Sequence, residues 1–306
     1  MIKKPHILNK GDAVAIVALS SFFDREMFNK SLKVIKSMGL KPIFDKSVFN
    51  KDFIFAGSAK TRLNNLIKAM KNPKAKAIWC VRGGYGAYDI AQELALKKIK
   101  TSSKILIGYS DVSALHFYFN QKLKWPTLHG PLFTRLGKQE YRGLEKKVLE
   151  ETLFNFNYRL KVNLGLKVLG AKKNVTGVLT GGNLSLIAGS IGTLWEIDTK
   201  NKILFIEEIA ESGKKIDRLL AQLWHAGKFD HVKAVVFGDF TDCLDGRGQL
   251  WLESVKRRFS KASFPVLLGL KAGHDKINLT LPFGVKVKVS AVTRPCFEVI
   301  EGFARE

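Results

Sequence analysis

The sequence predicts an α/β protein, with an N-terminal doubly wound parallel-sheet domain followed by a C-terminal β-rich, barrel-like α+β domain. Two observations support this fold class. In the first half, short apolar runs alternate with segments whose apolar residues recur at helical spacing, which is typical of βαβ units. In the second half, several short strands are separated only by turns, which indicates a compact β-rich domain with a few helices packed on it. The length of 306 residues accommodates two domains of ordinary size.

The first half carries the alternating pattern. Its first predicted strand covers 12–19, and the helix that follows has apolar residues at 28, 32, 35 and 38 and ends at Gly39. A glycine-rich loop at 82–86 and a turn at 109–111 each follow a later strand. Functional groups of doubly wound sheets gather on loops at the carboxyl ends of strands, so we expect the site near these loops. The other predicted elements are strands at 41–45, 77–81 and 104–108 and helices around 63–70, 90–96 and 112–119.

The second half is richer in short strands. Residues 141–170 are more polar and irregular, so we interpret them as a linker between an N-terminal domain, 1–140, and a C-terminal domain, 171–306. The predicted strands of the second half are 176–180, 203–206, 232–237, 264–270, 285–289 and 297–300, with helices around 184–191, 216–224 and 251–259.

The composition predicts a soluble globular protein, because 46% of the residues are hydrophobic and 25% are charged. Three cysteines lie far apart, Cys80, Cys243 and Cys296, which indicates a reducing compartment and no disulfide framework. The N-terminal residues lack the apolar stretch of a signal peptide, and no run is long enough to span a bilayer. We therefore expect a cytoplasmic protein with no membrane partner.

The charge is strongly positive, with 51 Lys and Arg against 27 Asp and Glu and a formal net charge of +24. Such a field attracts anionic substrates and polyanions. The lysines are scattered through most segments, however, and no motif of a known nucleic-acid-binding domain is present. We therefore expect a basic, solvated surface and no nucleic-acid partner.

Ser110 is the first candidate for chemistry. It lies at the turn between an apolar strand and a helix, in the sequence GYSD at 108–111. The neighbouring Asp111 opens the helix, so its backbone N–H is an unpaired donor at the positive end of the helix dipole. A hydroxyl beside such a donor is the arrangement of a nucleophile next to half an oxyanion hole. The alternative, that Ser110 is only a helix cap, remains open from this stretch alone.

A serine nucleophile needs a general base and a group that orients the base. His274 follows a predicted strand and is preceded by Gly273, which permits a tight turn that would present the imidazole. His129 also follows a strand and could line the same cleft. Glu207 and Glu208 end a buried strand, and strand alternation places them on opposite faces, so only one of them can orient the histidine.

The glycine-rich loop 82–86 has the sequence RGGYG. It lacks both the G-x-G-x-x-G pattern of dinucleotide sites and the Lys-Ser/Thr of a P-loop, so a nucleotide cofactor is not indicated. The loop could instead bring a backbone N–H close to a substrate as a second oxyanion donor. The Cys and His spacings match no metal motif. We therefore expect no cofactor and no required metal.

Ten short segments, taken together and in order, resemble one family, the LD-carboxypeptidases. These are serine peptidases with a Ser-Glu-His triad, and the family includes the microcin C immunity hydrolases. The segments run over nearly the whole chain, and the ordered set is specific although each segment alone is weak. They are 82–86, 108–111, 128–131, 181–184, 192–193, 204–208, 216–218, 238–240, 273–274 and 281–284.

The resemblance implies a role for each site residue. Ser110 matches the family nucleophile, His274 the general base, and Glu207 the residue that orients the base. The backbone N–H groups of Gly84 and Asp111 would form the oxyanion hole. The resemblance also implies an α/β N-terminal domain, a β-rich C-terminal domain, a triad at their junction and a homodimer.

The substrate that the resemblance implies is a murein tetrapeptide from peptidoglycan recycling. Ser110 would attack the carbonyl of the bond between an L-configured centre and the terminal D-alanine, which leaves. The acidic peptide and its free carboxylate suit a positive cleft, to which Arg82 and His129 could contribute contacts.

Two alternatives remain open. The same triad could hydrolyse the amide of a peptidyl or aminoacyl nucleotide antibiotic, as in microcin C self-immunity, and Trp195 is a candidate for stacking on the base. In the second alternative, from another class, the chain is a basic nucleic-acid-binding protein with an inactive hydrolase fold. Steep salt-dependent binding to DNA without peptide cleavage would favour the second alternative.

Overall fold

The computed structural model describes residues 2–97, 99–245 and 248–306. In the first half, strands and helices alternate as the apolar pattern predicts. Short 3-10 helices cover Lys46–Phe49, Ser110–Val112 and Phe133–Gly137, and a π-helical turn covers Phe119–Leu123. The main elements are β1 (Ala13–Val17), α1 (Arg25–Ser37), β2 (Lys41–Ile43), α2 (Ala59–Lys71), β3 (Ala75–Cys80), α3 (Ala87–Ala95), β4 (Ile105–Gly108), α4 (Ser113–Tyr118) and β5 (Thr127–His129).

Local sequence signals explain where α1 begins and ends. Asp24 accepts hydrogen bonds from the backbone N–H groups of Glu26 and Met27 at 2.6 and 3.1 Å, which satisfies donors of the first turn. Gly39 follows the helix with a φ of +81°, a conformation that a glycine adopts at little cost. Phe28 lies on the buried face and packs against the sheet core.

The first sheet is doubly wound. Its parallel strands have the order β2-β1-β3-β4-β5. Because the strand order reverses between β1 and β3, the carboxyl ends of these two strands border a crevice, and doubly wound sheets bind ligands there. The crevice is bordered by Ser20 and Ser21 after β1 and by the glycine-rich loop 82–86 after β3.

The second half contributes a helix and strands from residue 143 onwards. The segment 141–170, which we interpreted as a linker, consists largely of one helix and two short strands, and the domain limits stay a proposal. The elements are α5 (Gly143–Phe154), β6 (Lys161–Val162), β7 (Lys167–Gly170), β8 (Val175–Asn183), α6 (Leu184–Gly189), β9 (Lys202–Ile209), α7 (Gly213–His225), β10 (Ala234–Thr241), α8 (Leu250–Phe259), β11 (Pro265–Leu268), β12 (Leu281–Phe283), β13 (Lys286–Ser290) and β14 (Cys296–Val299).

The second sheet has eight strands in the order β6-β14-β13-β8-β9-β10-β11-β7. The strands β8, β9, β10 and β11 are parallel, and the flanking strands are antiparallel. The two edge strands, β6 and β7, are consecutive in the chain and are joined by residues 163–166 alone. Because an extended chain spans at most roughly 3.5 Å per residue, this short connection keeps the two edges of the sheet close together. The sheet therefore curls until its edges approach, although no ladder between the described residues of β6 and β7 closes it into a barrel.

The two halves are joined by a strand and by a shared core. Strand β12, from the second half, pairs antiparallel with β5 and places Leu281 opposite His129, so it becomes an edge strand of the first sheet. One apolar cluster includes Leu115 of α4, Ile187 of α6 and Ile206 of β9. The predicted fold class is confirmed, with a strongly curled open sheet in place of a closed barrel. Among the described helices, none is long and apolar enough to cross a membrane.

Candidate active site

Ser110 lies on a strained turn at the carboxyl end of β4. Its φ is +65°, which is uncommon for a residue with a side chain and persists only where the surroundings impose it. The 3-10 helix Ser110–Val112 begins at this residue and continues into α4. A Cβ atom at Gly83 would lie 3.1 Å from Ser110 Oγ, so the glycine loop after β3 lies against the Ser110 side chain. This is the arrangement of a nucleophile elbow.

Glu207 and His274 form a hydrogen-bonded pair. Glu207 lies in β9 with its side chain fully buried, and its Oε2 atom is 2.6 Å from His274 Nδ1. The carboxylate accepts, so Nδ1 carries the proton and Nε2 is left to act as a base. Gly273 makes the approach possible, because a Cβ atom there would lie only 3.2 Å from Glu207 Oε2.

The same pair sets the protonation behaviour of His274. Burial by itself lowers the pKa of His274, but the charge and the hydrogen bond of Glu207 outweigh burial, so the pKa is raised above its ordinary value of 6.5. A raised pKa makes the imidazole a better proton acceptor when a nucleophile is activated.

The neighbouring Glu208 points to the opposite face and has a structural role. Its two carboxylate oxygens accept hydrogen bonds from Asn183 Nδ2, from the Ser185 hydroxyl and from the backbone N–H groups of Ser185 and Ile209, at 2.7 to 2.9 Å. The Ser185 contacts hold the first turn of α6. Of the two adjacent acids, the structure therefore places Glu207 against the imidazole.

Ser110 and His274 come from different halves of the chain and meet through Tyr109. The ring centroids of Tyr109 and His274 are 4.7 Å apart, so the residue next to Ser110 packs on the imidazole. The described residues include no hydrogen bond between the Ser110 hydroxyl and the imidazole. Hydrogen bonds between a nucleophile and its base are often long before substrate binds and shorten only in the substrate complex. The absence of this bond is therefore compatible with the triad, whose assignment stays a proposal.

The two backbone donors proposed for the oxyanion hole are held close to the Ser110 turn. Within the described chain, neither the Gly84 N–H nor the Asp111 N–H donates a hydrogen bond to another protein group. Gly84 has a φ of +103°, and the following Tyr85 N–H donates to Ser21 Oγ at 3.1 Å. Both N–H groups are therefore available to a ligand oxygen.

The Asp111 side chain joins the Ser110 turn to the glycine loop. Its Oδ2 atom accepts a hydrogen bond from the Ala87 N–H at 2.7 Å, at the first turn of α3. Burial raises the pKa of Asp111 to about 6, although the Ala87 hydrogen bond and the positive charge of Arg62 act in the opposite direction.

Arg62 is a buried support of this region that the sequence analysis missed. Its side chain is 1% exposed and donates to the carbonyls of Gly57, Leu19 and Gly86 at 3.1, 3.0 and 2.5 Å. It thus holds the end of the glycine loop against the end of β1. The sequence contained one indication of this role: Arg62 lies next to the apolar residues of the predicted helix, where a cation is unusual because charged side chains are rarely buried.

Arg135 is a second support that the sequence analysis missed. It forms a two-pronged ion pair with the buried Glu145, with Nε and Nη2 at 2.6 and 3.0 Å from the carboxylate oxygens. Its Nη2 also donates to the carbonyls of Asp275 and Lys276, at 3.2 and 2.8 Å. Arg135 therefore fixes the backbone immediately after His274.

Asn278 fixes the backbone on the other side of His274. Its side chain is fully buried, and its Oδ1 atom accepts a hydrogen bond from the Gly273 N–H at 3.1 Å. Together with Arg135, it determines where the imidazole can lie.

The two substrate contacts predicted from sequence have different outcomes. Arg82 is exposed on the glycine loop, where its Nη1 donates to the Phe22 carbonyl at 2.8 Å, so it remains a proposed contact. His129 is fully buried, packed against Tyr109, Phe205 and Phe283. A contact between His129 and the substrate stays a prediction, and the enclosed ring gives it no support because these three aromatic side chains surround it.

Trp195, the candidate for stacking on a nucleotide base, is also buried. Its side chain is fully enclosed, with the Tyr88 ring edge-on at 4.8 Å and the Phe117 ring stacked at 6.1 Å between centroids. It presents no face on which a base could stack.

Comparisons with known proteins point to one family. Models of the LD-carboxypeptidase N-terminal and C-terminal domains match residues 14–130 and 176–289. A probable murein peptide carboxypeptidase of Bacillus subtilis (strain 168) is 33% identical over 299 residues, which cover 95% of this chain and 92% of that protein.

Solved structures agree with this result. A muramoyltetrapeptide carboxypeptidase from Oxalobacter formigenes superposes with a TM-score of 0.79 at 26% identity, covering 95% of this chain and 99% of that one. An MccF-like protein from Bacillus anthracis str. Ames superposes with a TM-score of 0.83 at 23% identity, covering 96% and 98%. At the latter identity the likeness concerns the fold alone.

Proposed function

The chain belongs to the LD-carboxypeptidase family, and we propose that it releases the terminal D-alanine of murein tetrapeptides with Ser110, His274 and Glu207 as its catalytic triad. The protein is an enzyme, a carboxypeptidase. The observation that carries the assignment of residues is the 2.6 Å bond between Glu207 and His274, with the strained Ser110 turn packed beside it through Tyr109.

In the proposed mechanism, the Ser110 hydroxyl attacks the carbonyl carbon of the L,D amide while His274 Nε2 takes the hydroxyl proton. The carbonyl oxygen becomes an oxyanion, which the N–H groups of Gly84 and Asp111 stabilise. The imidazolium then gives its proton to the leaving nitrogen, and D-alanine departs as the C–N bond breaks. Water, deprotonated by the same imidazole, hydrolyses the acyl-enzyme and regenerates Ser110.

Glu207 has an electrostatic and orienting role in this mechanism. Its carboxylate holds the imidazole with Nε2 towards the serine and favours the charged form that arises during attack. The burial of Glu207 strengthens this effect, because a charge interaction is screened less away from water.

Charge near the base suits a substrate with carboxylates. His274 borders a cleft of about 740 Å³ that is also lined by Lys30, Arg135, Lys138 and Lys276, with Glu140 and Asp275 as its acids. The positive excess favours an acidic peptide with a free terminal carboxylate. Arg82 on the glycine loop is a further proposed contact.

The test of the proposed function is hydrolysis of a defined peptide. Purified protein is incubated with the murein tetrapeptide, and loss of D-alanine is followed by mass spectrometry. The matched control is the same peptide with a terminal L-alanine. We expect release from the D-configured substrate only, and absence of release from both would contradict the proposal.

The two alternatives from the sequence stand differently: the murein substrate is the one that the named relatives support, and the antibiotic substrate remains the second candidate, with which the microcin C7 self-immunity proteins among the solved neighbours agree. An aromatic residue that can stack on the base would favour hydrolysis of a nucleotide antibiotic. Trp195, the candidate for this role, is enclosed and does not provide such a surface. A nucleic-acid-binding protein with an inactive fold gives no reason for a buried carboxylate bonded to a histidine beside a strained serine.

Three further expectations are part of the proposal. The homodimer is expected from the family resemblance, the cytoplasmic location from the cysteine pattern, and the role in peptidoglycan recycling from the substrate.

The triad mechanism assigns no step to a metal or cofactor, so dialysis against EDTA is expected to leave turnover unchanged. Light scattering coupled to size exclusion measures the oligomeric state.

A further inference from the structure

Arg135 has one guanidinium nitrogen that its structural role does not use. Nε and Nη2 are engaged by Glu145 and by the carbonyls of Asp275 and Lys276. Nη1 has no hydrogen-bond partner among the described residues. The Arg135 side chain is 13% exposed and that of Glu145 2%, so a nearly buried arginine is held rigidly with one donor to spare.

The cleft at His274 is where this arginine reaches solvent. Arg135 and His274 line the same cleft of about 740 Å³. The three lysines of the cleft, Lys30, Lys138 and Lys276, are exposed, and each would lose side-chain entropy on fixing a ligand. Arg135 has already lost that freedom, so among the cations of the cleft it is the preorganised one.

The chemistry of the leaving group calls for a cation at this place. The base that activates the serine returns its proton to the leaving nitrogen, so that nitrogen must lie beside His274. In a terminal amino acid, the carboxyl carbon is two bonds from the nitrogen, at about 2.5 Å. The terminal carboxylate of the substrate must therefore lie within a few ångströms of the imidazole, close to the residues that surround His274.

We propose that Arg135 Nη1 binds the terminal carboxylate of the leaving residue, which makes Arg135 the residue that restricts the enzyme to peptide ends. The assignment rests on the proposed function, since it needs Ser110 and His274 to be the reacting pair. An arginine at this position repels a positive charge on His274, and a bound carboxylate neutralises this repulsion as the imidazolium forms. Carboxylate binding thus assists the attack as well as the selection of substrate.

The test compares two substrates that differ only at the end. One is the murein tetrapeptide with terminal D-alanine, and the other is the same peptide with terminal D-alaninamide, which has the same L,D bond but no negative charge. The ratio of kcat/KM for the two peptides is measured for the wild type, Arg135→Gln and Arg135→Lys. Any loss of turnover that follows from a displaced His274 loop affects both peptides and cancels in the ratio.

We expect the wild type to prefer the carboxylate peptide by about 10- to 100-fold, as for a hydrogen bond to a charged group. In Arg135→Gln the ratio falls to within about threefold of unity. Arg135→Lys gives an intermediate ratio, because lysine keeps the positive charge but lacks the planar guanidinium with its fixed N–H donors. The matched control is Glu145→Gln, which weakens the ion pair but leaves the guanidinium. It should lower turnover on both peptides and keep the preference.

Three outcomes would overturn the assignment. The first is a wild type that hydrolyses both peptides equally well, a result that needs no variant to fold. The second is an unchanged ratio in a folded Arg135 variant, and the third is loss of preference in Arg82→Gln instead. Absence of hydrolysis of either peptide by the wild type is a different result, because it contradicts the proposed function itself and removes this assignment with it.

Discussion

Asp111 Oδ2 accepts a hydrogen bond of 2.7 Å from the Ala87 N–H, so the residue after Ser110 holds the first turn of the helix that follows the glycine loop. One residue thereby links the two segments that supply the proposed oxyanion donors. The hydrogen bond is buried, and the dipole of α3 strengthens it because a negative group is favoured at the amino end of a helix. The separation of the two donors is therefore fixed by the protein before a substrate arrives.

Asp111→Asn should change how stability depends on pH. Burial raises the pKa of Asp111 to about 6, from an ordinary value of 3.8. A carboxyl group with a raised pKa in the folded state stabilises the fold fully below about pH 4, and this contribution is lost as the pH rises through about 6. Since one pKa unit corresponds to about 1.4 kcal/mol, the variant should gain up to about 3 kcal/mol relative to the wild type across this range.

Urea unfolding of both proteins at pH 4, 5, 6 and 7 measures this difference. Parallel stability curves for the wild type and Asp111→Asn would contradict the raised pKa. Asp111→Ala is the companion variant, because alanine also lacks the titrating group but cannot accept the Ala87 hydrogen bond, so it should be less stable than Asp111→Asn by about 1 kcal/mol at every pH.

Ser110→Ala should abolish D-alanine release while the protein remains folded. Removing the nucleophile of a serine triad typically lowers kcat by about 10⁴-fold or more. The measurement is D-alanine release from the tetrapeptide, with circular dichroism as the check on folding. Ser37→Ala, at an exposed serine at the end of α1, is the matched control and should retain wild-type turnover. Turnover that persists in folded Ser110→Ala would exclude Ser110 as the nucleophile.

Glu207→Gln should shift the acid limb of the kcat/KM profile to lower pH and lower kcat. The carboxylate raises the pKa of His274, and the base must be neutral to act, so removal of the charge lets His274 lose its proton at lower pH. We expect a loss of about 10²- to 10⁴-fold in kcat, because the imidazolium loses its counter-charge.

Glu208→Gln is the neighbouring control for this variant. Glu208 also raises the pKa of His274 by its charge, but its carboxylate hydrogen-bonds to Asn183, Ser185 and Ile209 and not to the ring, so the shift should have the same direction and be smaller. A larger shift in Glu208→Gln than in Glu207→Gln would reverse the roles that we assign to the two acids. An NMR titration of the histidine rings measures the pKa values directly.

Arg62→Met should destabilise the fold and slow catalysis. The change leaves the carbonyls of Leu19, Gly57 and Gly86 without their donor, and a buried carbonyl without a partner costs about 1–3 kcal/mol. We expect a loss of about 3–5 kcal/mol in the free energy of unfolding, measured in urea, and a lower kcat because the glycine loop carries a proposed oxyanion donor.

Lys60→Met provides the control on the same helix, because Lys60 is exposed and lies two residues from Arg62. Its stability should stay within about 0.5 kcal/mol of the wild type. If Arg62→Met unfolds in urea as the wild type does, the buried arginine is not the support that its contacts indicate.

The fold class and the main elements near the site follow from local patterns in the amino-acid sequence. The apolar pattern of 104–108, followed by the turn at Ser110, requires a buried strand and a helix start, and these are local properties of the chain. The adjacent acids Glu207 and Glu208 follow an apolar run that the sequence predicts as a buried strand, although the strand continues through both acids and buries them. The ordered motifs carry the resemblance to the LD-carboxypeptidase family.

Which side chains meet depends on the packing of the whole chain and is visible only in the folded protein. Strand alternation showed that just one of Glu207 and Glu208 could serve, and the contact at 2.6 Å places Glu207 on His274. From the sequence, His129 was a possible substrate contact and Trp195 a candidate for stacking, but in the structure neighbouring aromatic rings enclose both side chains. Arg62 and Arg135 likewise gave no strong local signal. Arg62 binds carbonyls of three separate loops of the first half, and Arg135 binds carbonyls of the second half, so these contacts exist only once the loops have been brought together by folding.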